Sequence, residues 1–133
     1  MKKIICCLPV LFACTGALPA QAQKPLAGTA WVGMAAIPDP MEVVLQFKQD
    51  TVIMFVKGSK EVAETMRYTQ KGNNQFTWQK ISGGSPCDTQ TPGTWAYKIK
   101  KDEVMFTPVN DPCPGRTAAT LNKPFKKITW PTP

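Results

Sequence analysis

The chain has 133 residues, with 16 Lys plus Arg against 9 Asp plus Glu, five Cys and no His, for a formal charge of +7. Without histidine there is no Ser-His-Asp or Cys-His nucleophile system, no HExxH metalloprotease site and no zinc site that needs an imidazole. Apolar residues at 43% suffice for the core of one domain, and 13 Pro with 9 Gly point to many turns and little helix.

Residues 1–22 combine Lys2 and Lys3, an apolar stretch from Ile4 to Ala13 and the small-x-small run Ala20-Gln21-Ala22, the pattern of a secretory signal peptide. A membrane-spanning helix needs about 20 apolar residues, which neither this Pro9-interrupted stretch nor any later segment supplies. Leu11-Phe12-Ala13-Cys14 also looks like a lipobox, so cleavage after Ala22 and lipidation of Cys14 stand as alternative processing routes. Both export the chain, to the periplasm or exterior in the first case and to an outer-membrane lipoprotein in the second.

Removing the leader takes Lys2 and Lys3 from the 16 basic residues, so 14 face 9 acidic ones and the charge of residues 23–133 becomes +5. It also removes Cys6, Cys7 and Cys14, leaving Cys87 and Cys113. In an oxidising compartment this pair is expected to form one structural disulfide, far from CxxC spacing, whereas two cysteines without histidine make a poor zinc site.

From Leu26 onward, short segments rich in β-branched and aromatic residues alternate with Gly, Pro, Asn and Asp clusters, and no stretch keeps a 3.6-residue apolar period. This predicts an all-β, antiparallel fold of about eight strands. The strands expected are Thr29 to Ile37, Glu42 to Lys48, Thr51 to Lys57, Val62 to Thr69, Gln75 to Ile81, Gly93 to Lys100, Glu103 to Val109 and a last one near Phe125 to Trp130.

Hairpin registers follow from the turn residues. A two-residue turn at Gln49-Asp50 sets Phe47 opposite Val52, Leu45 opposite Met54 and Val43 opposite Val56, which makes one face of that ribbon wholly apolar. A turn at Lys101-Asp102 sets Ile99 opposite Val104, Tyr97 opposite Phe106 and Trp95 opposite Pro108, with Lys100 meeting Glu103 on the outer face. A three-residue turn at Gly72-Asn73-Asn74 places Tyr68 opposite Trp78 and Met66 opposite Lys80. Adjacent hairpins with one apolar face each suit an up-and-down barrel. Extending the Trp95 register puts Gln90 opposite Cys113, three residues from Cys87, so the disulfide is expected to clamp the open end of that hairpin.

The opening Leu26-Ala27-Gly28-Thr29-Ala30-Trp31, the run Cys87, Gly93-Thr94-Trp95-Ala96-Tyr97 and Val104, and the segment Asp111-Pro112-Cys113-Pro114-Gly115-Arg116 resemble the bacterial lipocalin-like family. The resemblance covers about Leu26 to Trp130, and its D-x-C-x-x-R segment is the more specific motif. It implies a calycin-type eight-stranded barrel with small apolar ligands as the generic expectation. It also implies a late arginine packed over the first-strand tryptophan; Arg116 matches that arginine, with an ion pair to Asp111 as its alternative role.

An eight-stranded barrel is just wide enough either to be filled by its own side chains or to hold one small ligand. Trp31, Leu45, Phe47, Met54, Trp78, Trp95, Tyr97 and Phe106 are the interior candidates for ligand contact, together with Val43, Val52, Val56, Ile99 and Val104 as inward wall. The same residues serve equally as a packed core, in which case the barrel acts through its surface as an envelope interaction or inhibitor module. Lys98, Lys100, Lys101, Lys123, Lys126 and Lys127 read as a solvated face, with attraction to an anionic envelope surface as the other option. The carboxylates Asp39, Glu42, Asp88 and Asp111 show no catalytic or calcium-binding spacing, and Ser82-Gly83-Gly84-Ser85 lacks the Lys-Ser/Thr of a phosphate loop. The expectation is therefore a non-enzymatic exported domain without cofactor, metal or nucleic-acid partner.

Overall fold

The computed structural model describes residues 25–36, 39–119 and 123–131. The leader with its cysteines, its two processing sites, and Ile37 at the end of the first expected strand lie outside the described residues. Eight strands follow one another in an antiparallel closed barrel: β1 Ala30–Ala35, β2 Met41–Phe47, β3 Thr51–Val56, β4 Val62–Lys71, β5 Gln75–Gly83, β6 Gly93–Lys100, β7 Glu103–Asn110 and β8 Phe125–Ile128. One short helix, α1 (Pro114–Ala119), precedes β8.

The expected registers are those observed. Phe47 faces Val52, Leu45 faces Met54 and Val43 faces Val56 across β2 and β3. Tyr68 faces Trp78 and Met66 faces Lys80 across β4 and β5, while Tyr97 faces Phe106 and Trp95 faces Pro108 across β6 and β7. Period-two alternation drives all three, because a slip by one residue would carry every large apolar side chain to the solvent face. A bulge between Thr94 and Trp95 moves the pairing on by one, so Thr94 faces Asn110, and the Gln90 offset expected from an unbroken register does not hold.

Two seams are incomplete. β5 and β6 pair only over Gln75 to Trp78, and β7 and β8 only at Glu103 and Val104. All these pairs lie toward the end of the barrel that carries the tight turns at Lys71–Gln75 and Lys100–Glu103. Toward the other end the wall splays, and segments 84–92 and 111–119 fill the gaps. Cys87 and Cys113 join these two segments by the disulfide, with Cα atoms 5.6 Å apart. The Ala36 N–H donates to the Ala119 carbonyl (2.9 Å), which ties α1 to β1 across the wide β7–β8 seam.

The core is a stack of rings. Phe47, Tyr68, Phe76, Trp78, Trp95, Tyr97, Phe106 and Phe125 are each at most 3% exposed. Phe76 touches five of them, with centroids 5.1–6.1 Å away from Phe47, Tyr68, Trp78, Tyr97 and Phe106. Phe125 lies flat over Gly33, where a Cβ would stand 2.4 Å from its ring, so that strand position excludes any side chain. On the outside, Phe55 meets Trp130 at 5.5 Å, and Val44 beside it is fully buried. The outer face around Phe55 is thus partly covered by Trp130, which follows β8.

Candidate functional site

The two ends of the barrel are built differently. At the end with the tight turns, Leu26 is fully buried beneath the first strand, and its carbonyl accepts from the Thr29 N–H (3.1 Å) and hydroxyl (2.5 Å). The Gly28 N–H donates to the Phe47 carbonyl and the Phe47 N–H to the Thr29 carbonyl, both at 2.8 Å, so this segment is laced under the barrel. Above it Tyr68 donates to Gln70 Oε1, Gln70 Nε2 donates to the Tyr97 hydroxyl (2.8 Å) and the Gly72 carbonyl (2.9 Å), and the Tyr97 hydroxyl donates to the Asn73 carbonyl (3.2 Å). Burial, reinforced by Tyr97 alongside, pushes the Tyr68 phenol up to about 12 despite the nearby Leu26 backbone. This end is a plug.

The opposite end contains a cavity of about 80 Å3. Its walls come from β1 and β2 (Ala35, Val43, Leu45), β3 and β4 (Met54, Glu64, Met66), and Trp78 and Phe125. Its roof comes from the two stapled segments, through Ser85 and Cys87 on one and Gly115, Arg116 and Ala119 on the other. An apolar groove of about 490 Å3 adjoins it, bounded by Met41, Met54, Ala63, Glu64, Gly84, Ser85 and Pro86. Met54, Glu64 and Ser85 belong to both, and so form the mouth between groove and cavity.

Asp111 organises the roof. Its carboxylate accepts from Arg116 Nε, from Arg116 Nη2 (2.7 Å), from Trp95 Nε1 (2.7 Å) and from the Cys113 N–H (2.9 Å). The bidentate pair with Arg116 is almost wholly removed from solvent, with the two side chains 5% and 0% exposed. Burial works against the Asp111 charge, but the Arg116, Trp95 and Cys113 donors together hold its carboxyl below the usual carboxylate range. The packing leaves no room at the neighbouring strand start: a Cβ on Gly93 would fall 2.1 Å from Asp111 Oδ2. The D-x-C-x-x-R segment is therefore one device, in which Asp111 and Arg116 lock the turn, Cys113 staples it and Arg116 reaches the cavity.

This settles the two roles open for Arg116. It pairs with Asp111, and the cation above Trp31 is instead Lys127, whose Nζ stands 6.0 Å from the ring centroid. The physical reason is position: Arg116 follows β7 at the splayed end, whereas Trp31 pairs with Lys127 of β8. Trp31 Nε1 donates to Thr29 Oγ1 (2.6 Å).

Of the interior candidates, Leu45, Met54 and Trp78 line the cavity; Trp31, Phe47, Trp95, Tyr97 and Phe106 do not, and pack within the core cluster. Val43 lines the cavity, Val52 and Val104 are fully buried, Ile99 packs against the core from a partly exposed position, and Val56 is only half-buried at the strand end. Reading the strands alone misses Glu64, which is 4% exposed, along with Met66, Phe125 and α1. The one available signal for Glu64 was its alternation with Met66 and Tyr68 on β4. The remaining carboxylates have ordinary work: Glu42 pairs with the Lys57 ammonium (2.8 Å), and Asp88 accepts the Gln90 and Thr91 N–H groups, bonds that lower its pKa on the exposed loop. The six lysines singled out in the sequence are all exposed.

Among the described residues no group of His, Cys, Asp or Glu could hold a metal ion, and no helix is long and apolar enough to cross a membrane. The fold and site thus define a closed eight-stranded antiparallel barrel, plugged at one end and hollow beneath a disulfide-stapled roof at the other. No protein-family model, curated protein or solved structure matches the chain.

Proposed function

We propose that this is a non-enzymatic, exported, lipocalin-like binding protein that takes one small, largely apolar ligand into the cavity under the α1 roof. The observation that carries this reading is a mostly apolar cavity next to an apolar groove at the splayed end of the barrel, in a molecule whose interior toward the other end is filled by packed rings. Binding sites are typically concave, apolar and supplied with a few placed polar groups, and barrel mouths are a common location for them. The cavity's size sets the class. An engineered apolar cavity of about 150 Å3 admits benzene, so about 80 Å3 takes the head or body of a small molecule, with any remainder lying in the groove. A long lipid chain would have to displace the ring stack around Phe76.

The disulfide and the leader pattern support export, and without histidine the chain lacks the commonest general acid–base group. The test is native mass spectrometry of the mature protein from its own host, together with titration of an apolar fluorescent probe. A copurifying small molecule or saturable probe binding is expected, and Ala35→Leu, which grows into the cavity, abolishes it without changing the far-ultraviolet spectrum. Failure of both the wild-type protein and a Cys87→Ser, Cys113→Ser variant, in which the roof is unstapled, to take up any probe would overturn the reading and leave a filled barrel that works through its surface.

A further inference from the structure

The cavity is apolar in area but not in chemistry. Arg116 Nη1, Trp78 Nε1 and Ser85 Oγ are buried without a hydrogen-bond partner, and all three residues line it. Arg116 and Trp78 are themselves 6% and 3% exposed, so bulk water does not compensate them. Glu64, 4% exposed, lines the same cavity, and neither an ion pair nor a hydrogen bond joins its carboxylate to Arg116. Leaving such groups unmade costs about 1–3 kcal/mol each, and natural cores rarely tolerate several together. Here three lie around one small space, and Glu64 supplies acceptor capacity beside donors that it does not reach.

We infer that the cavity recognises a neutral head group which both donates and accepts hydrogen bonds, a primary amide or a hydroxyl on a short apolar body. This rests on the proposal that the cavity binds a small molecule. The charges decide against ionic heads. Arg116 is already neutralised by its two bonds to Asp111, so its remaining Nη1 offers a hydrogen bond rather than a free charge. Glu64 has no such partner, and the nearby Lys80 ammonium is held on the Ser85 carbonyl (2.6 Å) and does not line the cavity. A carboxylate ligand would satisfy Arg116 and Trp78 but would bring like charge against Glu64; an ammonium would satisfy Glu64 and leave both donors unpaired. A plain hydrocarbon would leave the buried Arg116, Trp78 and Ser85 atoms unpaired. An amide or hydroxyl donates to Glu64 while its oxygen accepts from Trp78 Nε1 or Arg116 Nη1, with Ser85 able to serve either way.

A matched six-carbon series on the mature, oxidised protein tests this: hexanamide, hexanol, hexanoate, hexylamine and hexane, each read by displacement of an apolar fluorescent probe. The amide and the alcohol are expected to bind roughly tenfold or more tighter than the other three, since a site built for hydrogen bonds discriminates steeply against analogues that leave its groups unpaired. Glu64→Gln should raise hexanoate affinity to about the level of the amide, because the repelling charge is gone while both donors remain. Trp78→Phe should weaken hexanamide and leave hexane unchanged. If all five compounds fail to displace a probe that does bind, or if hexane or hexanoate binds as well as hexanamide, the head-group inference falls while cavity binding survives. If the probe itself never binds, the underlying proposal falls instead.

Discussion

The two ends of this barrel share strands, and therefore share local sequence pattern, yet one is solid and the other hollow. The difference is in what closes them. At the plugged end the strands run into tight turns, Leu26 lies under the rings, and every hydroxyl and amide of the Tyr68, Gln70 and Tyr97 group has a partner. At the hollow end the seams between β5 and β6 and between β7 and β8 open, and closure falls to two connecting segments that the sheet does not hold. A sheet can be closed by its own ladder, but segments need anchors, here the disulfide and the Asp111–Arg116 pair. Three of the four buried, unpaired side-chain polar atoms among the described residues line the cavity closed by anchored segments; the fourth, Gln46 Oε1, lies apart from it on β2.

The sharpest way to break this contrast is to truncate one apolar side chain in the ring stack and one at the mouth. Phe76→Ala, at the centre of the ring stack, should cost about 4 kcal/mol in chemical denaturation, whereas Met54→Ala at the mouth, a smaller truncation of a side chain only partly buried, should cost about 1 kcal/mol. Equal losses would mean that the two ends are packed alike. Next in size, replacing Cys87 and Cys113 by Ser frees a loop of 26 residues and should cost about 3 kcal/mol. Hydrogen exchange should then localise the damage: the Ala36 and Thr117 amides, bonded to Ala119 and Cys113, lose protection before the Tyr68 amide bonded to Asp50. Uniform loss across all three would deny the roof its independence.

The ends should also fail at opposite extremes of pH. Asp111 is held below its ordinary value of 3.8, so its contribution is complete above that pH and is lost as pH falls through the depressed folded value. Tyr68 is raised from 10.0 to about 12, so its contribution is complete below pH 10 and is lost as pH rises toward 12. Denaturation across pH should therefore show an acid limb flattened by Asp111→Asn and an alkaline limb flattened by Tyr68→Phe, each variant leaving the other limb intact. The smallest effect concerns the plugged end's turn. Lys101 has a φ of 57°, a left-handed conformation that suits glycine, and Lys101→Gly should leave stability unchanged or raise it by about 0.5 kcal/mol, read from the denaturation midpoint.

What was legible in the sequence follows the same division. The β2–β3 and β6–β7 registers could be read from turn residues and alternation because each inner face is apolar throughout. The disulfide followed from counting cysteines once the leader was set aside. The β4–β5 face was harder, since Lys80 opposite Met66 contradicts an inward reading; the structure resolves this by sending the ammonium to the Ser85 carbonyl at the rim. Glu64 alternates cleanly with Met66 and Tyr68 on β4, but a lone carboxylate in an otherwise apolar row is ordinarily read as a solvent-facing residue. The bulge opposite Thr65 and Met66, with Ile81 as the extra β5 residue, blurs the pairing that would have set it inward. Helix α1 is six residues, Pro-Gly-Arg-Thr-Ala-Ala, too short for any apolar period to show. Its place depends on tertiary partners: Asp111 behind it, Cys87 beside it and Ala36 at its end. The hollow end was opaque because its residues acquire their roles only once distant segments meet.

The laced segment from Leu26 to Thr29 has a kinetic corollary. Under the proposed binding, a vessel sealed at its base offers a guest one route, travelled in both directions, so a change that narrows the passage without touching the bound guest slows arrival and departure in equal proportion. Such a change would be invisible to an equilibrium titration and plain in a relaxation trace, so residence time can vary there independently of affinity.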